Sequence, residues 1–188
     1  CYFLPMVTSI TAVGLVWKWL YNYDYGLINY LLSLFGVDPI NWLNNPKYNM
    51  AALVIYGIWN MIPMTTILLL AGFQNVNPQY YTAARVDGAK SMRIFMRITL
   101  PMISPMIFYL FITGCIGAFK AYSDAVALFG TDLNAAEMNT IVGYVYDMLY
   151  GDSGGYPSFA SAAAIILFTI VLTITCINLL VSKKNVHY

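Results

Sequence analysis

Charge is what this sequence has least of. Of its 188 residues 9% are charged and 60% hydrophobic, whereas ordinary soluble domains carry about 25% charge. With a mean hydropathy of +0.67, that shortage excludes a soluble domain and makes a bilayer the expected solvent. Cysteine is scarce too: Cys1, Cys115 and Cys176 all lie in apolar runs, so neither a disulfide framework nor a CxxC metal site is available. The single histidine, His187, stands in the tail and points to neither catalysis nor metal binding. No nucleotide motif occurs; "GAKS" at Gly88 lacks the upstream glycine frame of GxxxxGK[ST]. A nucleophile–base set and paired acids are absent from the apolar segments, so no catalytic residue, resident metal or cofactor is expected, and no nucleic-acid partner. An initiator Met, charged n-region and cleavage site are also missing before "CYFLPMVTSI". The chain therefore reads as a piece that begins inside or just before a membrane span, with helices missing upstream.

What is present is apolar sequence in long runs. A hydrocarbon core of about 30 Å needs roughly 20 mostly apolar residues per helix. Four segments meet that need, at about residues 2–21, 49–73, 100–128 and 158–182. The expected fold is an all-α polytopic membrane protein, a single transmembrane domain over 1–188. Between the first two spans, "NYDYGLINYLLSLFGVDPINWLNNPKYN" is aromatic and turn-rich, with Asp38-Pro39 and Asn45-Pro46 as breakers; it predicts an interfacial loop with a short amphipathic helix near 27–35. A similar helix is expected at 135–149, before a Gly-rich turn at 151–155.

Cations set the expected orientation, because cytoplasmic loops near span ends are enriched in Lys and Arg. Arg85, Lys90, Arg93 and Arg97 fall between spans two and three, and Lys183 and Lys184 follow span four. If the spans alternate, both places share the cytoplasmic side, and the C-terminus lies there. The opposite loops hold Asp24, Asp38, Asp132, Glu137, Asp147 and Asp152, with Lys47 as the main cation. Those loops are expected to face outward.

The cationic stretch "YYTAARVDGAKSMRIFMRITLP" is the one polar island. Asn77-Pro78 is a helix start, with Asn as N-cap and Pro where its missing N–H costs nothing. Tyr80, Ala83, Ala84 and Asp87 then recur at helical spacing and leave one face small and flat. Gly88 interrupts the helix, so a helix–turn–helix is predicted, its second helix carrying Lys90, Arg93 and Arg97 on one face. A charged loop of this kind can serve only topology and contact with anionic headgroups. Its spacing says more: Ala83-Ala84, three residues, Gly88, nine residues, Ile98, one residue, Leu100-Pro101.

That arrangement resembles the EAA loop of ABC-importer permeases, whose pattern is EAA, three residues, Gly, nine residues, Ile, one residue, Leu-Pro. Six of the seven identities stand at the right offsets; at roughly 5–10% each, chance gives this on the order of once in ten million starting positions. The likeness extends over nearly the whole chain. "FLPMVTSITAVGLVWKWLYNYDYGLIN" looks like the third span of sugar-type permeases and its following turn, and "IWNMIPMTTILLLAGFQNVNPQYYTAARVDGA" like the fourth span running into the loop. The ending "KKNVHY" is similar to the maltose-permease F-subunit type, and on this alignment two N-terminal spans are missing. The motif's leading Glu is Thr82 here, which cannot form the ion pair with a basic group on the ATPase that the family's acid is linked with.

The resemblance implies a type I ABC importer fold, MetI-like, with residues 77–101 as the cytoplasmic coupling loop. Thr82, Ala83, Ala84, Asp87, Gly88, Ile98, Leu100 and Pro101 would be its coupling positions. It further implies a bacterial cell membrane location and a carbohydrate cargo, an oligosaccharide being favoured and glycerol phosphate the nearest other solute. The implied partners are a homologous second permease, two ATPase subunits carrying ATP and Mg, and an extracytoplasmic solute-binding protein. An ion-coupled secondary transporter is the rival; it calls for intramembrane ionisable groups and often for inverted repeats, and neither is clear here.

A pathway also needs polar or aromatic groups facing a cavity within the bilayer. Lys120 and Asp124 are the only opposite charges at i, i+4 in an expected span; they either brace each other on the pathway or sit at the outer interface, and an outer vestibule satisfies both. Asn60 precedes Pro63, whose kink would free backbone carbonyls. Tyr109, Phe119 and Tyr122 supply ring faces of the kind that stack on sugars, or serve as interfacial anchors. The small residues Ser158, Ser161 and Ala162 read as helix packing.

Overall fold

The computed structural model describes residues 4–151 and 155–185, with side chains placed for 6–151 and 155–180. Nine helices follow in chain order among the described residues: α1 (Leu4–Val7), α2 (Ile10–Leu20), α3 (Leu27–Ser33), α4 (Pro46–Gln74), α5 (Pro78–Val86), α6 (Ser91–Phe119), α7 (Ser123–Phe129), α8 (Ile141–Tyr150) and α9 (Pro157–Asn185). No strand occurs among these residues. The tail with His187, the side chains of Lys183 and Lys184, Cys1, Asp152 and most of the Gly-rich turn lie outside the described residues.

Three helices are long and apolar enough to cross a membrane: Pro46–Gln74, Ser91–Phe119 and Pro157–Leu180. Almost none of their apolar surface is buried within the chain, and a helix apolar all round needs lipid or other helices around it. The first expected span differs. Ser9 is extended, with ψ 135°, and separates α1 from α2. The 11 residues of α2 rise about 16 Å, short of a bilayer core.

The third expected span also ends elsewhere. Its helix starts at Ser91 and stops at Phe119, not near 128. Lys120 to Tyr122 form a break before α7. The physical reason lies in packing: the break lets α7 lie against α2, where a Cβ built on Gly14 would stand 2.6 Å from the Ala127 Cβ. By contrast α4 runs through Pro63 as one helix, with that proline fully buried.

The chain divides into two compact units. The first comprises residues 1–63 and 119–168, and its core is aromatic. Val13, Trp17 and Tyr21 recur at i, i+4 along α2 and pack with Trp42, Ala52, Tyr56 and Leu128. Trp17 meets Tyr56 edge-on at 5.8 Å and Trp59 at 5.4 Å between ring centroids, a separation at which aromatic pairs add about 0.5–1.5 kcal/mol beyond burial. The Tyr21 hydroxyl donates to the Ala52 carbonyl at 2.9 Å, which satisfies its polar end inside this core. Asn49 donates to the Ala136 carbonyl at 2.8 Å and so ties α4 to the loop before α8.

Asn29 organises the loop between α2 and α4. Its Nδ2 donates to the Ile40 carbonyl at 2.9 Å, while its Oδ1 accepts from Trp42 Nε1 at 2.9 Å and from the Ile40 N–H at 3.2 Å. The short helix expected near 27–35 is α3, but nothing in the sequence pointed to Asn29 as the residue that holds this loop. Asn29→Ala strands several of these groups, and a buried donor left unpaired costs about 1–3 kcal/mol. Thermal unfolding followed by tryptophan emission is expected to show a clearly lowered midpoint; an unchanged midpoint would contradict the role assigned to Asn29.

The second unit comprises residues 64–118 and 169–188. There α4 and α6 approach at Gly72, where an added Cβ would lie 3.5 Å from the Met106 Cβ. Val76, Thr99 and Ile103 are buried. Within α6, Phe95–Thr99 form a π-helical segment, the one-turn irregularity that recurs at functional sites.

Candidate functional site

Local chemistry explains the polar loop residue by residue. Asn77 is extended and its side chain accepts from the Gln79 N–H at 2.9 Å, with Pro78 at the first helical position. Helix α5 then ends in a closed cap: the Gly88 N–H donates to the Arg85 carbonyl at 3.0 Å and the Ala89 N–H to the Ala84 carbonyl at 2.9 Å. This is the Schellman pattern, which requires a left-handed residue at its hinge. Gly88 supplies it, with φ +71°. Thus Ala84 and Gly88 have a structural reason for their spacing, because the cap joins the carbonyl of one to the turn made by the other.

The surface this cap presents is open. Thr82, Ala83, Asp87 and Gly88 are exposed, and Ala84 is half-buried. Thr82 turns its hydroxyl back toward the Pro78 carbonyl at 3.4 Å. Val86 and Met92, 83% and 70% exposed, flank the turn as apolar knobs. At the other end Ile98 is half-buried, and Leu100 and Pro101 are exposed. One link fastens α5 to α6: the Thr99 hydroxyl donates to the Tyr81 hydroxyl at 3.3 Å. Neither residue is marked by the loop's spacing, and the buried Thr99 sits at the end of the π-helical segment.

The polar candidates regroup. Asn60 Nδ2 donates to the Asp124 carboxylate at 3.4 Å, and the buried Tyr56 hydroxyl lies beside that carboxylate. Asp124 thus faces an amide and a phenol rather than Lys120. The i, i+4 relation expected between Lys120 and Asp124 is lost, because Lys120 stands in the break after α6, and no ion pair joins them. Lys120 is exposed. Tyr56 escaped the sequence reading because a tyrosine in an apolar run carries no local sign of its partner.

Tyr122 stacks obliquely on Tyr146 at 5.3 Å, and Tyr146 on Tyr150 at 5.2 Å. Burial, then the neighbouring Tyr146 and Asp147, push the Tyr122 hydroxyl above the ordinary phenol range, so it remains a neutral donor. Asp147 in turn accepts from Asn134 at 2.9 Å and Asn139 at 3.1 Å. Phe119 is exposed at the end of α6, and Tyr109 is exposed on it in the second unit; neither joins these clusters. No group of three or more metal-ligating side chains occurs among the described residues.

Residues 1–185 match the family described as binding-protein-dependent transport system inner membrane component. The trehalose/maltose transport system permease protein MalF of Thermococcus litoralis is 36% identical over 181 residues, covering 96% of this chain and 60% of that protein. The arabinooligosaccharides transport system permease protein AraP of Bacillus subtilis is 30% identical over 183 residues, covering 96% and 57%. Among solved structures, a bacterial ABC transporter involved in the import of the acidic polysaccharide alginate superposes with a TM-score of 0.81 at 26% identity, over 97% of this chain and 63% of that one. The alginate transporter in complex with an alginate pentasaccharide-bound periplasmic protein matches equally well. The chain thus spans about three-fifths of the length of these relatives.

Proposed function

Because the chain belongs to the family of binding-protein-dependent transport system inner membrane components, we propose that it forms the membrane-spanning permease part of an ATP-driven importer for a carbohydrate, most naturally an oligosaccharide. The observation that carries this reading is the capped helix α5, whose exposed, small-residue surface at Thr82 to Gly88 ends in a cap built around Gly88. A short helix of this kind can seat in a groove of a partner. A groove that moves would carry the helix with it. With no nucleotide motif in the chain, the energy has to come from ATP and Mg on two partner ATPase subunits, which push α5 and rock the spans between inward- and outward-open states. A homologous permease would complete the pathway, and a solute-binding protein would deliver the sugar to the outward loops. The loop 77–101 and the C-terminus would then face the cytoplasm.

Within this reading Asp124, Asn60 and Tyr56 are the polar groups best suited to the cargo. A carboxylate, an amide and a phenol hydroxyl together offer acceptors and donors for sugar hydroxyls, and the names of the relatives support a saccharide. The experiment is uptake of labelled maltose, trehalose and arabinotriose by proteoliposomes holding the full-length chain, its partner permease and the ATPases. Uptake is expected only with Mg-ATP inside and binding protein outside. Uptake driven by a proton gradient without ATP would replace this reading with ion-coupled transport.

A further inference from the structure

At the C-terminal end of α2 a cavity of about 400 Å³ opens to the surface, walled by Trp19, Tyr23, Asp24, Tyr25 and Tyr30. Its size falls within the range of small-ligand sites. The four rings are each at least half exposed. The wall is held in place from within: Asn22 Oδ1 accepts from the N–H groups of Asp24 at 3.0 Å and Tyr25 at 3.2 Å, and Asn29 anchors the base through the Tyr23 and Ile40 carbonyls. Asp24 is exposed, and its carboxylate makes no hydrogen bond or ion pair among the described residues. Aromatic faces around an unpaired carboxylate are the environment that attracts an organic ammonium, through ring quadrupoles and charge together. The same carboxylate disfavours an anion.

What borders the cavity identifies the ammonium's source. Leu15 and Val16 stand at i−4 and i−3 from Trp19 on α2, and all three are exposed, so an apolar strip runs along that helix to the cavity mouth. Leu27, Leu31 and Leu34 form a second exposed strip along α3 and its C-cap, at i, i+4 and i+7. Strips of this kind suit acyl chains laid against them, and Trp and Tyr gather where hydrocarbon meets headgroup. We propose that this cavity is a lipid site, in which the ammonium of a zwitterionic phospholipid headgroup sits among Trp19, Tyr23, Tyr25 and Tyr30 against Asp24, with an acyl chain along Leu15 and Val16. The site holds the loop between α2 and α4 at the bilayer surface and is independent of the cargo.

Native mass spectrometry of the full-length transporter with its partner subunits, titrated with phosphatidylethanolamine or phosphatidylglycerol of matched chains, tests this. Phosphatidylethanolamine is expected to be retained in preference, and Asp24→Asn to lower that retention by roughly tenfold while phosphatidylglycerol retention holds or rises. Tyr25→Phe, which keeps the ring face, is expected to retain the lipid, and Tyr25→Leu to lose much of it. Asp24 is exposed and unpaired among the described residues, so its replacement leaves folding intact, and phosphatidylglycerol counts that do not fall confirm this. Equal retention of the two lipids, or full retention in Asp24→Asn, overturns the proposal. Displacement of the lipid by millimolar maltose overturns it in favour of a saccharide site, and displacement by soluble ethanolamine in favour of a free-amine site.

Discussion

On the proposed function, Gly88→Val lowers ATP-dependent uptake by the assembled transporter roughly tenfold while leaving the chain inserted in the membrane; that is the result expected from the cap on α5. The residue at this position holds φ +71° with nothing within 4 Å of where a Cβ would stand. The cost of valine is therefore conformational and not steric crowding. A left-handed backbone costs an L-residue about 1–2 kcal/mol, and a β-branched side chain is worse placed still. Since about 1.4 kcal/mol is tenfold in an equilibrium, the cap joining Ala84, Arg85, Gly88 and Ala89 would be populated roughly ten times less, and α5 would meet its partner misdirected. Asparagine tolerates the left-handed region, so Gly88→Asn is expected to keep most of the uptake. Co-purification of the ATPase provides the second reading, falling for valine and holding for asparagine. Normal uptake by Gly88→Val would remove the cap from the coupling argument.

Gly14→Leu acts in the first unit and by the opposite cause. Here φ is ordinary, but even the Cβ would stand 2.6 Å from the Ala127 Cβ and 2.8 Å from the Ala127 carbonyl oxygen. Backbone, unlike a flexible side-chain end, cannot swing aside, so α2 and α7 must separate. Overpacking of this kind typically costs about 1–3 kcal/mol, and the separation also loosens Trp17 and Leu128 from a shared core. A loss of that size corresponds to a melting midpoint lower by roughly 3–10 °C, with less protein recovered from the membrane. Adding Ala127→Gly is expected to recover little of the loss, because the Ala127 carbonyl oxygen would still stand 2.8 Å from the new Cβ. An unchanged midpoint in Gly14→Leu would mean that α2 and α7 do not touch at this point.

The capped helix of loop 77–101 was legible because its information is local. Asn77-Pro78 starts a helix, Gly88 ends it, and the offsets to Ile98, Leu100 and Pro101 can be counted along the chain; each structural consequence is realised within six residues of its cause. The pathway candidates were less legible. Asn60 and Asp124 were both singled out, but for different reasons, and the hydrogen bond that joins them spans 64 residues. Bracing of Asp124 by Lys120, one of the two readings their spacing allowed, requires a helix that continues through both, and Lys120 stands in a break. Asn29, Asn49 and Tyr56 gave no signal, because a buried polar side chain is recognised by what satisfies it, and the partners of Asn49 and Tyr21 are 87 and 31 residues away.

Composition and local pattern determined that this chain belongs in a bilayer, that the segments near 49–73 and 158–182 are long helices, and that one cationic loop carries a capped helix. These follow from the scarcity of charge and from backbone preferences that act within a few residues. Only the tertiary structure decided that α6 stops at Phe119, that α7 lies on α2 through Gly14 and Ala127, that Asp124 answers to Asn60 and Tyr56, and that Tyr81 meets Thr99. Those outcomes depend on which distant apolar surfaces fit closely enough to exclude everything else, and apolar segments so alike in composition do not announce their partners.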